Sequence, residues 1–188
     1  NHDVHVITPT DYPDFLKWMS FENNVTIYTE QKKESDSLIA ESELIICLDF
    51  SGKKRIGDME SIIFDNQIPK LLIDHHLEAD RFAEYELWVD TASSTCELVY
   101  DFIKHFDDNG VDIPTAECIY AGMMTDTGSF RFPSTSKKVH LIIADLMDIG
   151  LNHSKIHQLV YDTSSESRLR LLGHAISKKM TVLPEYHT

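Results

Sequence analysis

The sequence has no run of apolar residues approaching the roughly 18 that a membrane-spanning helix needs, so no membrane association is expected. Its start, Asn1-His2-Asp3-Val4, has neither the basic segment nor the apolar core of a secretory signal. It does not begin with Met either, and the chain is read as a processed or truncated product. Cysteine is scarce. Cys47, Cys96 and Cys118 are odd in number, far apart and outside any C-x-x-C pattern, which excludes a disulfide scaffold and a structural zinc site. Each lies in an apolar stretch and reads as a small core residue, which points to a reducing, cytoplasmic setting. Basic residues are also few. Against 31 Asp and Glu stand 17 Lys and Arg, a net charge of −14. That balance argues against a sequence-independent grip on long duplex nucleic acid, which rests on Lys and Arg at phosphates. Small phosphorylated ligands stay open, because a bound divalent ion supplies positive field locally. Repeats and low-complexity segments are missing as well.

What is present is an ordinary globular composition. Hydrophobic residues make up 42% and charged residues 26% of 188, enough for one domain with its own core. Strand-length apolar runs alternate with helical-period segments, which predicts an α/β fold: a Rossmann-like parallel sheet flanked by helices, with a largely helical second half. Strands are expected at 4–8, 25–28, 44–48, 70–73 and 87–89. Helices are expected at 14–19 and 55–66. In the second half they are expected from Ser93 or Ser94 to Phe106, at 115–124 after Pro114, and at 136–149 up to Gly150. Two more are expected at 152–161 and 164–180. Residues 1–182 are read as one domain and 183–188 as the start of a linker.

Ligands of open parallel sheets bind beyond the carboxyl ends of the strands. Two expected strands end in potential metal ligands, Leu48-Asp49 and Ile73-Asp74-His75-His76. A third candidate is Asp126, where Thr127-Gly128 lets the backbone turn after a helix. Composition alone gives roughly 0.05 Asp-His-His triplets in a chain of this length, so the motif is uncommon by chance. Asp is also a turn former, and on the tripeptide alone a metal site and a plain turn are both open.

The wider pattern resembles a known family, the DHH phosphoesterases. Ile45-Ile46-Cys47-Leu48-Asp49-Phe50 is similar to the family's second motif, Leu72-Ile73-Asp74-His75-His76 to its third, and Gly122 through Phe130 to its fourth. Ser93-Ser94-Thr95-Cys96-Glu97 matches a Ser/Thr-rich helix start typical of the family. Thr125 through Thr135 is most like the branch of bifunctional oligoribonucleases that also act on 3′-phosphoadenosine 5′-phosphate. The first motif would precede Val4 and the smaller C-terminal substrate-binding domain would follow Thr188. The chain is therefore expected to be the first domain of a longer enzyme without its first strand and helix, and negligibly active alone.

The resemblance implies two Mn²⁺ ions in the complete enzyme, with Mg²⁺ or another divalent ion as alternatives. It implies that Asp49 bridges both ions and that His75 and Asp126 complete the shell of the second. His76 would face the substrate phosphate as a catalytic group, with Asp74 orienting an imidazole. Arg131 and the helix start Ser93, Ser94 and Thr95 would bind substrate. For each residue a bland role stands beside this one: a turn for Asp49 and Asp74, a surface position for His76 and Arg131, plain helix capping for Ser93 to Thr95. His140, His153, His157 and His174 read as surface or capping residues, and Trp18 and Trp88 as core.

The implied activity is metal-dependent hydrolysis of short oligoribonucleotides to 5′-mononucleotides, together with removal of the 3′-phosphate from 3′-phosphoadenosine 5′-phosphate. Partners would be short oligonucleotides or phosphorylated nucleotides, with a homo-oligomer left open. The rivals are a dinucleotide phosphodiesterase, a single-strand exonuclease or a manganese pyrophosphatase of the same family, and a non-catalytic nucleotide-binding module.

Overall fold

The apolar runs form parallel strands in the computed structural model, which describes residues 2–78, 80–183 and 185. β1 (Val6–Thr8) pairs with β2 (Val25–Ile27), Val6 opposite Val25. β3 (Ile45–Leu48), β4 (Lys70–Asp74) and β5 (Tyr85–Trp88) form a second parallel sheet in that order. Its register sets Leu48 opposite Ile73 and Asp74 opposite Trp88. The parallel arrangement expected from the sequence is present, and hydrogen bonding divides it into two sheets. β4 is the central strand. Leu72, Ile73 and Asp74 are all buried, as a strand covered on both faces requires.

Several helical segments differ from expectation. α1 (Lys32–Glu41) was not expected, because its sequence KKESDSLIAE shows no apolar stripe. It buries only Ser35 and Ile39, one turn apart, and the Ser35 hydroxyl donates to Gln31 O at 2.9 Å. The helix expected at 55–66 is a 3₁₀ stretch, Lys53–Met59, followed by the short α2 (Glu60–Phe64). Gly57 breaks it at φ 55, ψ −127, outside any helical region. At 14–19 there is one 3₁₀ turn, Asp14–Leu16.

The second half is helical as expected: α3 (Thr95–Phe106), α4 (Ile113–Asp126), α5 (Lys137–Asp148), α6 (His153–Tyr161) and α7 (Glu166–His174). Capping side chains start each one. Ser94, Asp112, Ser136, Asn152 and Ser165 accept from the N–H three residues on. Beyond α7 the helix loosens to a π turn over Ala175–Lys179, and every residue from Tyr161 to Leu183 is exposed. The expected linker at 183–188 lies, apart from Leu183 and Glu185, outside the described residues. No helix among the described residues is long and apolar enough to cross a membrane.

Three apolar clusters hold the fold. One lies among α3 to α6 and takes in Trp18, as expected for that residue. A second packs Tyr28, Ile39, Ile56, Met59 and Ile63 on the sheet residues Cys47 and Leu72. A third, Ile73, Ala92 and Leu98, presses α3 on β4. α3 and α4 approach so closely that a Cβ at Gly122 would overlap Sγ of Cys96. The N-terminus of α3 and the C-terminus of α4 thereby come to the carboxyl ends of β3 and β4.

Candidate metal centre

Asp49 follows the last residue of β3 and adopts φ 63, the left-handed region that Asp tolerates better than most residues. Its N–H donates to Ile73 O at 3.1 Å, which extends the ladder by one bond and fastens Asp49 beside the end of β4. β4 ends at Asp74, whose side chain is wholly buried. One oxygen, Oδ1, accepts from the backbone N–H of His75 at 2.7 Å, from the N–H of His76 at 3.1 Å and from His76 Nδ1 at 2.6 Å. Asp74 thus bonds both the turn that follows it and one imidazole ring.

Both imidazoles are fixed through Nδ1. His75 Nδ1 lies 3.3 Å from Ala92 O, which can only accept, so the proton is assigned to Nδ1 and the lone pair to Nε2. The Asp74 contact makes the same assignment for His76. Trp88, expected in the core, instead donates from Nε1 to His76 O at 2.8 Å and braces the backbone there. His75 Nε2 stands 3.6 Å from Asp49 Oδ1 and 3.5 Å from Asp126 Oδ2.

Asp126 is the last residue of α4. Thr127, buried, ends the helix by donating from Oγ1 to Met123 O at 2.6 Å while accepting from Phe130 N–H at 3.0 Å. Gly128, Ser129 and Phe130 then take three consecutive left-handed conformations, at φ 56, 60 and 63. At Gly128 a side chain would also run into the ring of Phe132. Burial, with the Asp49 charge adding, holds the Asp126 carboxyl above its ordinary range, against the opposing pull of His75 and His76.

Ligand atoms of Asp49, His75 and His76 all lie within 4.8 Å of one another, and Asp126 adds a second carboxylate at His75. Two carboxylates and two imidazole lone pairs suit Mn²⁺ and similar divalent ions. Each imidazole has its other nitrogen tied to an acceptor, as metal-binding histidines usually do. The second oxygen of Asp74, Oδ2, is buried and has no hydrogen-bond partner among the described residues. These residues fit a divalent cation. Asp49, His75 and Asp126 lie together, and distance alone does not set His76 apart from them.

The expected substrate-binding residues have local partners. Arg131 is exposed and its Nε donates to Gly128 O at 2.7 Å. Ser93 donates from N and Oγ to Glu97 Oε2 at 2.8 and 2.9 Å, and Ser94 Oγ accepts from Glu97 N–H at 3.1 Å. This is a capping box in which Glu97 reaches back to the residue before the cap. Thr95 Oγ1 donates to Asp49 Oδ1 at 2.6 Å. Sequence reading missed the Ala92 carbonyl and Lys138, whose Nζ lies 3.2 Å from Glu97 Oε1 and also bonds Asp101. Neither carries a local signal.

Parallel strands ending in Asp and Asp-His-His, with a further Asp at a helix terminus beside them, define the class: residues 5–123 match the DHH family, N-terminal domain, and the chain belongs to that family. Asp126 lies three residues beyond the match. Over 133 residues the chain is 33% identical to the bifunctional oligoribonuclease and PAP phosphatase NrnA of Bacillus subtilis, a match over 69% of this chain and 41% of that protein. It is 27% identical over 172 residues to the protein of the same name from Thermus thermophilus, over 89% and 47% of the two chains. An exopolyphosphatase-related protein from Bacteroides fragilis has the same fold in its crystal structure, with a TM-score of 0.93 and 40% identity over 97% of this chain and 54% of that one. The chain spans about half the length of these relatives.

Proposed function

We propose that the chain is the catalytic domain of a metal-dependent phosphoesterase. It would hydrolyse very short oligoribonucleotides to 5′-mononucleotides and remove the 3′-phosphate from 3′-phosphoadenosine 5′-phosphate. The observation that carries this reading is the meeting of Asp49 and Asp126 at His75 Nε2, at 3.6 and 3.5 Å. Family membership supports the phosphoesterase class, and the names of the Bacillus and Thermus relatives support the substrates. The net charge of −14 favours short substrates over long duplexes.

Mn²⁺ is the proposed ion. When bound, it supplies charge neutralisation at the phosphate and a water of lowered pKa. The chain's own groups do the rest. Asp49 and Asp126 would hold the ion through carboxylate oxygens and His75 through Nε2, while Ala92 O keeps the His75 proton on Nδ1. In the reaction a water oxygen forms the new bond to phosphorus and the ester P–O bond breaks. His76, when protonated on both ring nitrogens, gives its Nε2 proton to the leaving oxygen and then takes up the proton that the attacking water gives up, while the Asp74 carboxylate balances the charge of the protonated ring. Arg131 pairs with a substrate phosphate oxygen.

A second reading follows from the Bacteroides structure, whose name points to a phosphoanhydride chain as substrate. One assay separates them. The natural full-length protein is given 3′-phosphoadenosine 5′-phosphate, a diribonucleotide and inorganic polyphosphate, each with and without Mn²⁺. Mn²⁺-dependent turnover of the first two supports the proposal. Turnover of polyphosphate alone supports the second reading, and turnover unaffected by a chelator sinks both.

A further inference from the structure

We propose that Thr95 is a positioning residue for Asp49: its hydroxyl fixes the direction of the Asp49 carboxylate and so sets how tightly the centre holds a divalent cation. This rests on the metal-site reading given above. Asp49 follows β3 and Thr95 opens α3, far apart in sequence, yet Thr95 Oγ1 donates to Asp49 Oδ1 at 2.6 Å.

Asp49 is the ligand candidate most in need of such a partner. Its side chain is 53% exposed, and its Oδ1 is also the atom 3.6 Å from His75 Nε2. An exposed side chain loses rotamer freedom when an ion orders it. Ordering it in advance removes that cost from binding. Thr95 is suited to the task on three grounds. It is only 5% exposed. Its β-branch restricts χ1. The capping of α3 is done by Ser94, which accepts from Glu97 N–H, so the Thr95 hydroxyl is free for another acceptor.

The element that carries Thr95 is itself fixed. Glu97 holds Ser93 from one oxygen and lies 3.2 Å from Lys138 of α5 through the other. Ala92, packed between β4 and α3, gives its carbonyl to His75. The same stretch of chain, 92–97, therefore orients one candidate ligand through a carbonyl and a second through a hydroxyl.

The test is Mn²⁺ titration calorimetry on the natural protein and on Thr95→Val, Thr95→Ser and Asp49→Asn. Thr95→Val keeps the shape and removes the donor. It is expected to weaken Mn²⁺ binding by about 10–100-fold, the usual effect of removing an outer partner of a metal ligand. Thr95→Ser keeps the donor and is expected to stay within a few-fold of wild type. If Thr95→Val fails to fold by circular dichroism, Thr95→Ala carries the same expectation without added bulk. A folded donor-less variant that binds Mn²⁺ as wild type does, while Asp49→Asn does not bind, overturns the proposal, even if its melting temperature has fallen. A wild-type protein that takes up no Mn²⁺ overturns the metal-site reading itself, and that result is visible before any variant is compared.

Discussion

Asp74 Oδ1 lies 2.6 Å from His76 Nδ1, and the same oxygen takes the backbone N–H groups of His75 and His76. One buried atom thus sets the path of the chain through both histidines and the rotation of one of their rings. Asp74→Ala strands three donors at once, and each buried donor left unpaired costs about 1–3 kcal/mol. The variant is expected to lose about 3 kcal/mol or more of stability by urea unfolding. Asp74→Asn keeps an acceptor at Oδ1 and is expected to lose less. Equal losses from the two would mean that the hydrogen bonds to Oδ1 are not what the residue supplies.

His76→Ala is expected to lower kcat by about 10²–10⁴-fold, the usual contribution of a positioned general acid, while leaving bound Mn²⁺ nearly stoichiometric. His75→Ala is expected to lose the metal. Because His76 stands in one group with Asp49 and His75, the comparison is a strict one. Equal metal loss in the two variants would make His76 a ligand rather than an acid.

Crystals soaked in Mn²⁺ and measured at the manganese edge are expected to show a peak with Asp49, His75 Nε2 and Asp126 oxygens at about 2 Å, the spacing of divalent first-row and alkaline-earth sites. A peak bound by neither carboxylate would remove the basis for the ligand set.

Gly122→Ala tests the close approach of α3 and α4. Alanine is the better helix former by about 1 kcal/mol, but its methyl would overlap Cys96 Sγ and stand 3.1 Å from Cys96 Cβ. Overpacking costs about 1–3 kcal/mol, and the net effect expected is destabilisation. Adding Cys96→Ala removes the sulfur and is expected to recover part of the loss in a double-mutant cycle.

Cys96 also gives a pH signature. Burial, with the Asp126 and Asp49 charges adding, pushes its thiol up to about 12. The folded state then holds the proton more tightly than the unfolded state, whose thiol titrates near 9. This contribution is complete below pH 9 and is lost as pH rises from there toward 12. The stability difference between wild type and Cys96→Ala is expected to shrink over that window. In folded protein at pH 8 a thiol reagent should leave Cys96 unmodified until urea exposes it.

Local features of the sequence foretold the strand ends and the residues they carry. Leu44 to Leu48 and Leu71 to Ile73 are apolar runs ended by charged residues, which places Asp49 and Asp74-His75-His76 at their ends. The capping residues of α3, α5 and α6 are readable for the same local reason, whereas α4 is capped by Asp112 and starts at Ile113, two residues before the expected 115. What stayed hidden depends on partners far away in the chain. α1 is held by two buried positions and its polar surface hides the period. His157, expected as a surface or capping residue, pairs instead with the buried Tyr120 hydroxyl at 3.2 Å across 37 residues. The contact of Thr95 with Asp49 has no local signal because it spans two elements whose meeting is set by packing.

Asp126 closes α4, and the C-terminal end of a helix carries partial negative charge from its aligned peptide dipoles. On the metal-site reading, a phosphate approaching without the ion would meet two carboxylates and that helix end together, opposed by the N-terminus of α3. An approaching cation meets attraction from all three. On that reading the expected order of assembly is ion first, anion second. By thermodynamic reciprocity, whatever factor the cation adds to the affinity for a phosphate analogue, the analogue adds to the affinity for the cation. The centre would then keep its ion best while a phosphate group is bound, and release of product and loosening of metal would be two sides of one linked equilibrium.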